Sequence, residues 1–422
     1  MLESIPIKAL IIPFVVIFVL FKVTQFVQRE LKIKSLGGHT RRAKTWIPFD
    51  LDLIARSVNY GMHDKNLEAW MAFFSGYKDV RYTVEANPGG QRTLFTAEPE
   101  NIKAILATQF TDYGKGEPFH SDWKDFLGDS IFTTDLDQWH DSRQLIRPQF
   151  IKDRVSDLDT FERHMQILIQ KIKEEGRKWD GSQGREIDIS DLFFRYTLDA
   201  ATDFLLGRSV ESLEKPGEFA DAFAEVQRVQ SIIARAGKLR EEIISKVGLV
   251  EAPTYQHLKD MKYLQNVMHE TLRLYPVVPF NVRLALKDTT LPVGGGPDGL
   301  SPMGILKDTP IGYSTLIMQR RDDLTPDVMS FNPDRWFTWQ PKPWQYIPFN
   351  GGPRICIGQQ FALTEMGYTI VRLLQNFDGL EGFMHEIDGG NPHLKADIVL
   401  QPGQGVHVGF LERQSETVKE KI

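Results

Sequence analysis

Residues 349–358 read Phe349-Asn350-Gly351-Gly352-Pro353-Arg354-Ile355-Cys356-Ile357-Gly358, and the fold of the chain turns on what that cysteine is for. It is the one cysteine among 422 residues, so no disulfide forms within the chain. That excludes a disulfide-built scaffold and every Cys-Cys metal knuckle. A lone cysteine is ordinarily a small buried hydrophobe. Here two glycines permit a sharp loop that can run against a flat ligand, and a helix expected from Gly358 to Leu374 points its free N–H groups at the sulfur. Those amides and the helix dipole favour thiolate over thiol. A thiolate held this way suits the axial position of haem iron, where it pushes electron density toward the metal and favours O–O cleavage. Gly358, with no side chain, lets the helix approach the ligand face, and Arg354 is placed to neutralise a propionate.

The rest of the composition is that of a large folded domain, with 41% hydrophobic and 25% charged residues. A formal charge of -6 is too mildly acidic for a phosphate-backbone partner, so no nucleic acid is expected. At the N-terminus, Ala9 to Phe21 (ALIIPFVVIFVLF) is uninterrupted apolar, and weaker apolar residues extend it from Ile5 to Val27. Such a stretch spans a bilayer if Lys8 and Lys22 snorkel to the two interfaces. A cleaved signal peptide is the rival, but no small-x-small site follows Phe21. A buried N-terminal helix is a further alternative, opposed by the polybasic flank. Arg29, Lys32, Lys34, Arg41, Arg42 and Lys44 face only Glu30, an excess that places the remainder on the cytoplasmic side. The expected organisation is an anchor over 1–28, a basic linker over 29–47 and a body over 48–422.

Along that body, Val80 to Val84 and Arg92 to Thr96 are β-rich runs joined by Asn87-Pro88-Gly89-Gly90, a hairpin. Pro99 opens a helical run. Phe219, Phe223, Val226, Val229 and Ile233 recur at helical spacing, and Lys262 to Tyr275 is a second periodic stretch closed by Pro276. The expected class is mainly α with small β regions. Gly294-Gly295-Gly296 lacks a following Gly-Lys-Ser/Thr and reads as a turn. His269-Glu270 begins a zinc-protease pattern, but position 273 is Arg where a second His is needed. No Gly-x-Ser-x-Gly is present, so an esterase nucleophile has no place to stand.

The cysteine loop resembles, at every defined position, the Phe-x-x-Gly-x-Arg-x-Cys-x-Gly signature of the cytochrome P450 haem-thiolate monooxygenases. Glu270-Thr271-Leu272-Arg273 fits the family's Glu-x-x-Arg, with carboxylate and guanidinium on one helix face. Phe331 to Trp336 resembles the segment that supplies a second arginine. The resemblance implies haem b with Cys356 as axial ligand and a buried network of Glu270, Arg273 and Arg335 locking the loop beneath it. It implies Trp139 and Arg143, four apart on one helical face, at a propionate, with Arg283 a further propionate contact and Phe349 in the loop that cradles the ring. Read without the resemblance, Glu270 and Arg273 are a surface ion pair, and Trp139 with Arg143 a core Trp beside a surface Arg. No catalytic residue is assigned. The similarity runs from about Lys44 to about Leu411, and Asn350–Leu363, His39–Trp46 and Met318–Asp323 are closest to fungal members that hydroxylate alkanes and fatty acids. It therefore implies a small hydrophobic, aliphatic substrate, O2, the NADPH–cytochrome P450 reductase as electron donor, and a single-pass anchor in the endoplasmic reticulum membrane.

One family segment is absent. The oxygen-handling helix carries Ala/Gly-Gly-x-Asp/Glu-Thr-Thr/Ser, and no such sequence occurs. Asp199-Ala200-Ala201-Thr202 sits in a segment resembling an earlier helix, and Ala236-Gly237-Lys238 has neither acid nor threonine. The chain reads as if Gln230–Gly237 were joined directly to Leu239–Ile243, with a seam at 236–239 and a loss on the order of a hundred residues by length arithmetic. The expected fold is thus incomplete. A membrane-anchored monooxygenase read from a shortened text is one hypothesis, and a truncated non-catalytic relative is the other.

Overall fold

The computed structural model describes residues 7–178, 181–214, 236–389, 393–396 and 399–413, with side chains beginning at Pro13 and, in the helix that opens at Ala236, at Gly237. The helical periodicity at Phe219, Phe223, Val226, Val229 and Ile233 lies outside the described residues. Among the described residues the helices of ten or more are α1 Ile7–Ser35, α2 Leu51–Met62, α3 Asn66–Ser75, α4 Gly116–Leu127, α5 Leu136–Ile146, α6 Asp159–Glu175, α7 Ile189–Leu206, α8 Ala236–Lys246, α9 Lys262–Leu274 and α10 Gln359–Asn376. The inward faces of α6 to α10 make one core: Phe161, Met165 and Leu168 of α6, Leu192 and Tyr196 of α7, Leu239 and Ile243 of α8, Leu264 and Val267 of α9, and Tyr368 and Val371 of α10 are all buried together. Those residues recur at three- and four-residue steps, which is why each segment is amphipathic and seeks the others.

A second core lies under a five-stranded sheet made of β1 Thr83–Ala86, β2 Thr93–Thr96, β3 Tyr113–Gly114, β4 Phe280–Ala285 and β5 Pro310–Ser314, in the order β1-β2-β5-β4-β3. Within it, β2 and β5 are the parallel neighbours. The β1–β2 hairpin turns through Pro88–Gly90, and its first strand starts at Thr83, because Val80 is drawn into a short turn where it is fully buried. The glycine triple is not all turn. Gly294 and Gly295 end the strand Thr289–Gly295, which pairs with Ser301–Ile305, and only Gly296 starts the turn. A Cβ on Gly295 would stand 2.4 Å from the Pro302 carbonyl oxygen, so the close approach of the paired strands explains the glycine there.

At the N-terminus α1 continues through the basic residues to Ser35, and Ile33 is fully buried where it meets the Ser301–Ile305 strand. Among the described residues no helix is long and apolar enough to cross a membrane. The side chains of Ala9 to Ile12, the start of the apolar run, lie outside the described residues. From Phe14 to Phe21 every side chain of that run is exposed. After α10 a strand, Phe377–Gly382, and a short helix, Met384–Asp388, follow, so α10 is not the last helix.

Candidate haem-binding site

Cys356 lies three residues before the start of α10, in the loop that Gly351 and Gly352 fold back. Gly352 has φ +64, and a Cβ there would meet the Leu106 carbonyl oxygen at 2.1 Å, so this position is closed to any side chain. Cys356 N–H donates to Phe349 O at 2.9 Å, which closes the loop on the half-buried Phe349. The guanidinium of Arg143 on α5 donates to Ile355 O at 2.9 Å. Gly358 is the N-cap of α10. Its missing side chain is not demanded by the protein itself: a Cβ would touch Phe150 at 3.5 Å and the Cys356 sulfur at 3.9 Å, both ordinary contacts.

The thiol behaves differently from the sequence expectation. The Gly358 amide and Arg143 pull its pKa down, as a helix N-terminus and a cation should, but burial of the sulfur outweighs them and the net shift is upward. Cys356 as a residue is exposed, while its sulfur is crowded enough for burial to dominate the shift. The free chain therefore holds a thiol. A thiolate here requires a bound cation, and a coordinated metal removes the thiol proton outright.

Beside the cysteine the structure gathers an excess of positive charge. The buried Arg354 pairs with Asp135 at 2.5 Å and donates twice to Thr134 O at 3.2 Å. Its guanidinium lies 4.7 Å from the Trp139 ring, and that of Arg143 lies 5.5 Å from the same ring. Arg283, on β4, is buried, donates to Asn281 and Val282 O, and faces the Tyr313 ring. Lys115 completes the group, and sequence reasoning missed it. Burial together with Arg283 and Arg354 pushes its pKa down to about 7, against a weaker opposing pull from Asp135. Burial and Arg283 likewise bring Arg354 down to about 10. Lys115, Arg283 and Arg354 thus interact around Asp135, Arg143 is joined to them through the Trp139 ring it shares with Arg354, and the buried Nε of Arg354 has no hydrogen-bond partner among the described residues. That donor set fits a ligand carrying two carboxylates. With an exposed cysteine and a side-chain-free Gly358 beside its sulfur, the residues present fit haem.

Behind the loop, Glu270 and Arg273 are fully buried and Arg335 nearly so. Arg273 grips Glu270 bidentately, Nε to Oε2 and Nη2 to Oε1, both at 2.9 Å. Arg335 Nε donates to Oε1 at 2.9 Å. Two donors escaped the sequence reading: the Asn332 amide at 2.9 Å and the Trp336 indole at 3.0 Å. Together the five donors hold the Glu270 carboxyl below its ordinary range despite burial. The connection to the cysteine loop is also indirect. Gln319 donates to the carbonyls of Leu272 and Arg273 and accepts from Ile347 N–H at 2.9 Å, two residues before Phe349.

A mainly helical protein with one small mixed sheet, in which a cysteine loop lies beside a basic cluster and is tied to a buried Glu-Arg-Arg network, has the features of a haem-thiolate class. The comparisons identify the particular family. The family model described as Cytochrome P450 matches residues 58–235 and again 236–386. Cytochrome P450 monooxygenase pvhE of Talaromyces variabilis is 42% identical over 511 aligned positions, covering 94% of this chain and 94% of that protein. Cytochrome P450 monooxygenase alt2 of Alternaria solani is 32% identical over 523 positions, covering 94% and 96%. Cytochrome P450 52A1 of Candida tropicalis is 36% identical over 473 positions, covering 85% and 86%. The chain belongs to the cytochrome P450 family, whose members bind haem iron through a cysteine thiolate.

Proposed function

We propose that this chain holds haem b with Cys356 as the axial ligand, and that the protein it represents hydroxylates a hydrophobic, aliphatic substrate with O2 and NADPH-derived electrons passed by a reductase. The observation that supports the reading is an exposed cysteine beside a basic cluster, in which Lys115, Arg283 and Arg354 share one carboxylate, Asp135, and Arg143 acts on Cys356. When bound, haem supplies the oxygen and one-electron chemistry. The chain's residues position it: Arg354, Arg283, Lys115 and Arg143 with Trp139 take the two propionates, Phe349 and Gly358 border the ring, and the Glu270, Arg273, Arg335 network keeps the loop from moving. The aliphatic substrate rests on the wording of Asn350–Leu363 and on α1, whose exposed apolar side chains suit a lipid environment. The helix is about 43 Å long, and reading it as an anchor adds Ala9 to Ile12, whose side chains lie outside the described residues, to the exposed apolar run from Phe14 to Phe21. The basic residues after it put the body on the cytoplasmic face of the endoplasmic reticulum membrane.

A second reading, that the 422-residue polypeptide is itself impaired in turnover, is favoured by specific observations. The family match breaks between residues 235 and 236, and relatives at 94% coverage align over 511 and 523 positions, more than the chain contains. The boundary lies just before the 236–239 seam read from the missing oxygen-handling sequence, and supports that reading. The decisive experiment joins two measurements: the transcript across codons 235–239, and the reduced carbon-monoxide spectrum of the 422-residue chain loaded with haem. The expected result is a thiolate-type band that Cys356→Ser abolishes, without turnover of a fatty acid. A chain that takes up no haem overturns the first reading, and full turnover by the 422-residue chain overturns the second.

A further inference from the structure

Away from the cysteine, α1 and the turns of the sheet enclose a separate recess of about 450 Å³. Its walls carry Arg29 from α1, Gly89 and Gly90 from the hairpin turn, Arg92 just before β2, and Lys307 and Asp308 from the turn before β5. Three cations thus line it against one carboxylate. The glycines keep the hairpin wall free of side chains, and the amides of Gly90 and Asp308 already donate to Asn87 O and Ala285 O. Recognition here falls to the side chains.

Arg92 is the buried member, only 5% exposed. Its Nη1 donates to Gly304 O and its Nη2 to Glu85 Oε2, both at 2.8 Å, which leaves Nε buried and without a partner among the described residues. A buried guanidinium N–H with no acceptor is costly, and native proteins seldom leave one. Arg29 and Lys307 are exposed. Among the described residues Arg29 enters no ion pair, and Asp288, on which Lys307 acts, is already paired with Lys32.

Polar contacts between helix and sheet hold the recess in shape. His39 bridges Glu30 of α1, at 2.9 Å from Nε2, and Glu85 of β1, at 3.0 Å from Nδ1, and Glu85 in turn holds Arg92. A Cβ on Gly304 would stand 2.4 Å from Ile33 O, so α1 lies directly against the Ser301–Ile305 strand. Arg29 therefore rides on a helix that is docked where Arg92 and Lys307 meet it.

Charge and place together name the ligand. Cations that include an arginine N–H in want of an acceptor suit a phosphate group, whose oxygens accept several such bonds. Along α1, Val23, Phe26 and Val27 are exposed and apolar, and Arg29 follows two residues later, about 3 Å further along the axis. For a helix leaving the hydrocarbon core, that is the depth of the headgroups.

We propose that this recess binds a phosphate group, carried by the head of an anionic phospholipid or free in solution, with Arg29 and Lys307 on its oxygens and Arg92 Nε donating from the buried side. The lipid source rests on the reading of α1 as a membrane helix, whereas recognition of phosphate does not.

The test titrates the full 422-residue chain, held in neutral detergent at low ionic strength, with water-soluble dihexanoyl phosphatidic acid and with inorganic phosphate, read by calorimetry. Saturable binding is expected, weakened tenfold or more when Arg29→Gln and Lys307→Gln are combined. Lys34→Gln combined with Arg42→Gln removes equal charge from the basic segment outside the recess and should leave the affinity within a factor of two. No saturable binding of either probe overturns the proposal, and so does equal weakening by both pairs, the mark of diffuse attraction to a basic segment. Tighter binding of the phosphatidic acid assigns the lipid source, and equal affinity assigns the free ion. All four side chains are exposed, so ligand-free Tm should match the parent's. If the first pair lowers it, Lys307→Glu alone is read instead, since a like charge there should repel the probe, and unchanged affinity overturns the proposal. None of these measurements involves haem, so this inference and the monooxygenase reading fail separately.

Discussion

Two flanks of this molecule each carry a buried carboxyl, and the two carboxyls are opposites. Glu270, behind the cysteine loop, accepts from five donors and is held below its ordinary pKa. Glu365, on α10, has an oxygen without a partner among the described residues and is held far above it. Both are buried, so burial does not distinguish them. The difference is whether the sequence around each supplies donors, and it teaches that the loop flank is a finished packing unit whereas the α7–α9–α10 flank is not.

The largest expected effect breaks the finished side. Glu270→Ala strands Arg273 and Arg335 in the interior without a counter-charge, which costs on the order of 3–5 kcal/mol. That is a large part of a whole domain's stability of about 5–15 kcal/mol. Urea denaturation should show a collapse in midpoint, or the variant should be recovered only in aggregates. A midpoint within a few tenths molar of the parent would mean that the network is decorative.

The unfinished side should respond with the opposite sign. The Glu365 carboxyl ionises near 4.5 when unfolded and near 8 when folded, so the folded state binds the extra proton between those values. Its contribution to stability is present below about pH 4.5 and is lost as pH rises toward 8. Glu365→Leu should therefore be nearly neutral at pH 4.5 and stabilising by on the order of a few kcal/mol at pH 8. Thermal melts of parent and variant across that window check it, and parallel curves would contradict the reading.

Much of the finished side is legible in the amino-acid sequence. The cysteine loop, the Glu270–Arg273 spacing and the Trp139–Arg143 spacing are local patterns, and short-range geometry is what sequence encodes most directly. Lys115 is not legible, because its meaning comes from Arg283 and Arg354, which are remote in sequence and meet it only through the sheet and the loop. Trp336 and Asn332 are hidden for the same reason, and Glu365 sits inside a helix whose period it simply continues. The direction of the Cys356 shift also escapes a sequence reading. A helix N-terminus is visible in sequence, whereas the crowding that outweighs it is a tertiary property.

Lys115 sharpens the comparison at the ligand face, because there the surplus charge waits for a partner from outside. Its folded pKa lies near 7 against about 10.5 for a free lysine, so the unfolded chain binds the extra proton between those values. The ligand-free chain should gain stability as pH rises from 7 toward 10.5, and Lys115→Met should stabilise it most at or below pH 7. Two propionates would offset the repulsion from Arg283 and Arg354 though not the burial, so the haem-loaded protein should show a weaker pH dependence and retain haem less tightly in the variant. Melting curves with and without haem, and haem transfer to apomyoglobin, measure both.

The smallest expected effect separates two glycines of one loop. Gly352→Ala places a Cβ against the Leu106 carbonyl at a residue with φ +64, and should disrupt the loop in the absence of any ligand. Gly358→Ala meets only ordinary contacts, at φ -83, where a side chain is allowed. As an N-cap change from Gly to Ala it should cost less than about 1 kcal/mol in the ligand-free chain. Its methyl group, however, would stand 3.9 Å from the cysteine sulfur. Haem retention should therefore fall far more than stability does, a split that a ligand-free melt and a haem-transfer rate would reveal together. If both fell in proportion, Gly358 would serve the loop's own packing, and the open face beside Cys356 would need another explanation.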